Sequence, residues 1–211
     1  MTFDEILNCL PKTEQTIIRG MINLLEDIDH QTEIFAKQTG LKCKNGCGTC
    51  CTTPIIETTV AEVLPLAVTL WSQGNALKKL DEIRLNTSKG LCVFYEPNPM
   101  DQSLGRCSIY ANRPGLCRLF GYAARQDKFG HPKLITCKII KENQPQACQQ
   151  TEEKLHQGVL KAPLLSAHTF SVSSIDPIHG QELRPINQAI GMAIEKIGYY
   201  IQDQVLNRVE N

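Results

Sequence analysis

An α+β fold, mainly α, is what this 211-residue chain predicts: a cysteine-rich loop and β-hairpin module clamped by N- and C-terminal helices. Three observations predict it. Apolar residues recur at helical spacing near both ends of the chain. The middle shifts to short β-type runs broken by proline and glycine. Nine of the ten cysteines fall between Cys43 and Cys148.

The elements follow in order. Thr2 with Glu5 three residues on forms a capping box for a short first helix, which Pro11 ends. A second helix over about 13–38 carries Ile17, Ile18, Met21, Leu24, Leu25, Ile28 and Phe35 on one stripe, and Gly40 stops it. The stretch from Cys43 to Thr53 is small and polar and reads as a loop. Thr59 and Glu62 form a second capping box for a helix over 60–71, with Pro65 expected to kink it unless it lies in the first turn. A further short helix covers 76–85. Residues 91–95 and 106–110 read as strands of one hairpin, and 119–125 with 133–140 as a second hairpin around Asp127–Gly130. A short polar helix spans 146–157, residues 162–180 read as irregular, and Pro185 takes the first position of a long last helix. Ile186, Ala189, Ile190, Ala193, Ile194, Ile197, Ile201, Val205 and Leu206 line its apolar face. Three segments result: an N-terminal helical extension (1–40), a cysteine-cluster module (41–148) and a C-terminal helical segment (149–211) packing on it.

Composition narrows the function classes. Lys plus Arg and Asp plus Glu number 22 each, so the formal charge is zero and the pI about 6.9. A nucleic-acid or anionic-membrane binder needs a net positive field, and neither partner is expected. No run approaches the roughly 18 apolar residues of a membrane span. The start, Met-Thr-Phe-Asp-Glu, is acidic at once and unlike a secretory signal, which points to the cytoplasm. In that reducing compartment clustered cysteines are expected as metal ligands rather than disulfides.

The chemistry sits in Cys43, Cys47, Cys50 and Cys51, a C-x3-C-x2-C-C run of nine residues. Thiolates two to four residues apart on a tight loop can turn toward one centre, and Gly46 and Gly48 let the backbone wrap that closely. Adjacent cysteines on an extended chain point opposite ways, so Cys50 and Cys51 are open to serving two centres. Cys92, Cys107, Cys117 and Cys137 bring the number to eight, the arithmetic of two four-thiolate sites or of one site with spare buried thiols. Cys92 and Cys137, each on an apolar run, also fit plain core packing. Cys148 competes with Cys137 for a ligand place, and Cys9, beside Leu7 and Leu10, reads as a small core hydrophobe. A metal held by thiolates is anionic and needs compensating charge. No acidic residue falls between Gln102 and Gln126, whereas Arg106, Arg113, Arg118 and Arg125 do; Arg113 and Arg118, which bracket Cys117, are the expected second layer of cofactor contacts.

These residues carry a resemblance. Cys43-x3-Cys47-x2-Cys50-Cys51, then Cys92-x-Phe94, Gly105-Arg106-Cys107-Ser108-Ile109-Tyr110 and Arg113-Pro114-Gly115-Leu116-Cys117-Arg118-Leu119-Phe120 resemble the YkgJ-type cysteine-cluster family, described as a zinc- or iron-chelating domain. The likeness covers roughly residues 41–145, with Cys137 matching the family's late cysteine. The family's pattern is similar to that of flagellin lysine N-methylases, which carry an iron–sulfur cluster, and so implies that the module can hold one. Methylation is not implied, since the chain shows no glycine-rich cofactor loop. C-x3-C-x2-C also matches the radical S-adenosylmethionine spacing. Thr49 stands where those enzymes place an aromatic residue, and the chain after Cys51 lacks their βα pattern.

His30, His131, His156, His168 and His179 have no partner at ligand spacing and read as solvent-facing or hydrogen-bonded loop residues. Tyr110 and Phe120 are expected to pack around the cysteines, and Tyr199 and Tyr200 to serve the core or a partner. No nucleophile elbow, P-loop or dinucleotide fingerprint occurs. The leading expectation is a metal-binding protein with an iron–sulfur cluster preferred over zinc, for electron transfer or redox sensing. Two alternatives stay open: a structural zinc module presenting helices to a protein partner, and a cluster-dependent enzyme of unspecified substrate.

Overall fold

The computed structural model describes residues 1–44, 46–53, 56–85, 90–101 and 104–209, with side chains through Gln202. Thr2 caps α1 (Phe3–Cys9) through both halves of the capping box: its hydroxyl accepts from the Glu5 N–H at 3.2 Å, and the Glu5 carboxylate accepts from the Thr2 N–H at 2.7 Å. Helix α2 (Lys12–Thr39) follows Pro11 and ends where Gly40 turns left-handed at φ 73°. Ile18, Met21, Leu25, Ile28 and Phe35 form its buried stripe, with Ile17 and Leu24 half-buried.

The strand β1 (Glu57–Thr58) leads into α3 (Val60–Ser72), capped by Thr59 and Glu62 as the pattern predicts. Pro65 lies inside α3 and the helix runs through it. An interior proline costs about 3 kcal/mol. Against it, Val60, Ala61, Val63, Leu64, Leu66, Ala67, Val68 and Leu70 are all buried, and each larger aliphatic among them contributes roughly 1.5–3 kcal/mol. Burial wins, and α3 is the central helix of the molecule. After α4 (Ala76–Leu85), β2 (Tyr95–Pro97) pairs antiparallel with β3 (Gly105–Cys107), Tyr95 facing Cys107. The first hairpin therefore forms at a shifted place: of the predicted strand 91–95 only Tyr95 is strand, and of the predicted 106–110 only Arg106 and Cys107 are. Residues 91–94 are loop and turn because Tyr95 donates back to the Cys92 carbonyl at 2.9 Å.

Helix α5 (Gly115–Leu119) takes the place of the start of a predicted strand, and the second hairpin is confined to β4 (Ala123–Gln126) and β5 (Pro132–Ile135). Asp127 shapes its turn, its Oδ1 accepting from the N–H groups of Phe129 and His131. The predicted strand beyond Ile135 becomes α6 (Lys138–Asn143), followed by α7 (Pro145–His156). The stretch read as irregular contains α8 (Leu165–Ile175). Its Leu-Ser-Ala-His-Thr-Phe-Ser-Val-Ser-Ser-Ile sequence is poor in strong helix formers, and Val172 packing on Met21 and Leu25 of α2 holds what propensity does not. Pro185 belongs to β6 (Arg184–Pro185), which pairs with β1, so α9 (Ile186–Val209) starts one residue later than predicted.

Three apolar clusters join the ends of the chain to its middle. The largest packs α9 residues Ile190, Ile194 and Ile197 on α3 and α1. Trp71 of α3 donates its indole N–H to the Ile194 carbonyl at 2.9 Å. Gly198 permits that approach, since a Cβ there would lie 2.6 Å from the Trp71 ring. The other clusters join α2 to α5, β4 and α8, and Phe35 and Leu41 to β5, α6 and α7. Val205 and Leu206, predicted on the apolar face of α9, have side chains outside the described residues. Among the described residues no helix is long and apolar enough to cross a membrane.

Candidate metal centre

The loop after α2 is held from several sides. Gln144 clasps the backbone of Lys42, donating to its carbonyl at 2.6 Å and accepting from its N–H at 3.0 Å. The Cys43 N–H donates to the Tyr122 hydroxyl at 2.9 Å. Gly46 accepts from the Gly105 N–H at 3.0 Å, docking the loop on β3. That contact requires glycine: Gly48 sits at φ 57°, and a Cβ there would meet the Gly105 carbonyl at 2.7 Å. The chain then winds into a 3-10 turn over Thr49–Thr52, and the Cys51 carbonyl accepts from the Cys92 N–H at 3.1 Å. From the far side Asn187 of α9 accepts from Val93 N–H at 2.9 Å and donates to the Leu91 carbonyl at 2.7 Å, gripping the segment that carries Cys92.

These clamps bring Cys43, Cys47, Cys50, Cys51, Cys92, Cys107, Cys117 and Cys137 to the wall of one cavity of about 640 Å³. All ten cysteines of the chain are free thiols. The backbone at Cys50 and Cys51 is a 3-10 turn rather than extended, and both residues line the same cavity. Cys51 lies close enough to Cys50 and Cys107 for the three thiols to shift one another's proton affinity. Cys92 and Cys117 lie within electrostatic reach of Cys50 and Cys107, and Cys43 of Cys47, Cys137 and Cys50. Cys137 is the N-cap of α6, its sulfur accepting from the Ile140 N–H at 3.3 Å. Among the described residues no three Cys, His, Asp or Glu side chains already meet at a single coordination point; the sulfurs are spread around the wall.

Charge at the wall has one sign. Lys42, Lys44, Arg106, Arg113 and Lys138 line the cavity, and no Asp, Glu or His does among the described residues. The donor set is therefore soft sulfur without carboxylate or imidazole, which suits iron–sulfur or zinc. The thiols differ in proton affinity. The Cys51 hydrogen bond, helped by the Arg113 guanidinium, draws Cys50 down to about 6. The same partner draws Cys107 down to about 7. Cys51, beside Cys107 and Cys50, is pushed up. Burial raises Cys43 and Cys92 to about 11 and pushes Cys117 up as well.

The two arginines predicted around the sulfurs part company. Arg113 lines the cavity, donating to the carbonyls of Tyr110 at 3.0 Å and Cys117 at 3.3 Å. Arg118 turns away. It is buried against Asp29 of α2 and donates to the carbonyls of Arg113 at 2.7 Å and Ala111 at 2.6 Å, so it braces the segment before Cys117. Cys148 packs with Phe35, Leu134 and Leu155 off the cavity, whereas Cys137 lines it; Cys9 lies in α1, also off the cavity. Tyr110 and Phe120 do line the cavity wall.

Glu62 has a role beyond its capping box. Buried at 5% exposure, it accepts from Thr58 and Thr59, from the Gly115 N–H at 2.9 Å and from His168 Nε2 at 2.9 Å. It thus ties α3 to α8 and to the start of α5, two residues before Cys117. His168 is accordingly a half-buried helix residue paired with a carboxylate rather than a loop histidine. Thr59-x-x-Glu62 was the only sequence signal available, and it speaks of α3 alone.

Residues 42–138 match a family model, CxxCxxCC, described as a "putative zinc- or iron-chelating domain". No curated protein and no solved structure matches the chain.

Proposed function

We propose, from the match of residues 42–138 to a family described as zinc- or iron-chelating, that this chain holds an iron–sulfur cluster and works in electron transfer or redox sensing in the reducing cytoplasm. One observation carries the reading: eight thiols and five cations line a single cavity whose described wall has no carboxylate or imidazole. Zinc sites commonly mix histidine or carboxylate with cysteine. An anionic iron–sulfur centre calls for thiolates throughout and for cationic and N–H partners to its sulfurs.

Such a cluster supplies one-electron chemistry when bound. The chain's own residues do the rest. Cys50 and Cys107 are the thiols drawn down toward neutral pH, Arg113 offsets negative charge beside them, and Gln144 and Tyr122 hold the loop that carries Cys43 while Asn187 holds the segment that carries Cys92. The ligands are drawn from Cys43, Cys47, Cys50, Cys51, Cys92, Cys107, Cys117 and Cys137, four thiolates to each cluster.

The test is anaerobic purification followed by iron, zinc and acid-labile sulfide quantification. The expected result is a brown protein absorbing near about 400 nm with iron and sulfide in equal amounts, a Cys50→Ala variant depleted of both, and a Cys9→Ala variant unchanged. A colourless protein with stoichiometric zinc and no sulfide overturns the redox reading in favour of a structural zinc module.

A further inference from the structure

The cavity contains more than metal ligation uses. A structural four-thiolate site is closed by its own ligands. This one encloses about 640 Å³, within the roughly 300–1,000 Å³ of small-molecule pockets. Part of the wall is apolar: Ile56, Ile109, Phe120, Ile139 and Ile186 neither ligate metal nor neutralise charge. Phe120 lines the cavity while 44% exposed.

The cations are not equivalent either. Arg106 is paired with Glu96 at 2.8 Å and Lys138 with Glu142 at 3.6 Å. Arg113 has no carboxylate partner among the described residues. Its Nε and Nη1 donate to backbone carbonyls, and the guanidinium lies 3.5 Å from the centre of the Tyr110 ring. A guanidinium oriented in this way keeps spare N–H groups in a planar fork, the geometry that matches carboxylate and phosphate oxygens.

We infer that the cavity binds a small organic anion with an apolar body beside the metal centre, its anionic group on Arg113 and its body against the isoleucine and phenylalanine wall. This deepens the metal reading, which supplies the other side of the same cavity.

The experiment uses full-length protein as purified anaerobically, with metal content measured on every sample. Phenylacetate, phenyl phosphate, phenylacetamide and phenethylamine, alike in apolar body and different in charge, are titrated by calorimetry. At least one of the two anions is expected to bind tenfold or more tightly than the neutral amide, with the amine weakest, and the tighter anion identifies the oxygen group preferred. Arg113→Gln should abolish the preference when each affinity is referred to the metal measured in that sample. Phe120→Ala should weaken the preferred anion and the amide several-fold together. Equal affinities for anion and amide, or a preference surviving in Arg113→Gln, overturns the inference. A protein without metal that still shows Arg113-dependent anion binding overturns the metal reading and leaves this one standing.

Discussion

Cys50 and Cys51 share a 3-10 turn and differ in what their sulfurs do. Cys51 is pushed up by the neighbouring Cys107 and Cys50, while those two are drawn down, Cys50 to about 6 and Cys107 to about 7. Cys43 is the exposed member of the set, yet its thiol is pushed up to about 11 by burial of its sulfur and the neighbouring Cys47. Alkylation follows the thiolate fraction rather than exposure alone. In reduced, metal-free protein at pH 7, iodoacetamide should therefore label Cys50 first and Cys107 next, with Cys43 lagging. Peptide mass spectrometry over a time course reads the order, and labelling of Cys43 ahead of Cys50 would contradict this ranking of the thiols. At this scale the cysteine positions were legible, because spacing alone marks a run such as Cys43–Cys51. The different placements of Arg113 and Arg118 were not, because both bracket Cys117 equally in sequence and only the position of Asp29 on α2 turns one of them away.

Among the elements, α3, α5 and α8 meet at the Glu62 carboxylate. Burial would raise its pKa, but the His168 hydrogen bond and charge, with Thr59 and Thr58 donating, hold it below the usual 4.5. A carboxylate depressed in the folded state contributes its stability above the unfolded value and loses it as pH falls through the folded value. Glu62→Ala leaves the Gly115 N–H and the His168 ring without their acceptor and should cost about 3 kcal/mol at neutral pH. Urea denaturation measures it, and the gap to wild type should narrow as pH falls below about 4. A gap that widens in acid would refute the assignment. The capping box Thr59–Glu62 was readable from four residues. The link to α8 was not, since α8 has few strong helix formers and forms because Val172 and His168 find partners more than 100 positions away.

Over the whole molecule, helix packing and sulfur cavity are supported differently. The α1–α3–α9 contact is a dry apolar cluster with Ile194, Ile197 and Leu64 fully buried. The cysteine loop instead depends on a few backbone and side-chain hydrogen bonds and on whatever its thiols hold. Regions with few buried apolar contacts open first, and metal binding couples to their folding. Stripping the metal with a chelator should leave the far-ultraviolet helical signal nearly intact while trypsin cuts faster after Lys42 and Lys44, both exposed. Loss of most of the helical signal on chelation would mean that the metal organises the entire fold.

The end helices, the second hairpin in outline and the cysteine positions were readable in the sequence, because helical periodicity, capping boxes and ligand spacing are local properties of consecutive residues. Only long-range packing placed eight thiols from five separate segments on one cavity wall, Cys50 and Cys51 together among them, left Cys148 and Arg118 off it, and made α8 a helix. Those outcomes depend on contacts between distant residues (Gly46 with Gly105, Asn187 with Leu91 and Val93, Glu62 with His168) whose energies no short window of sequence contains.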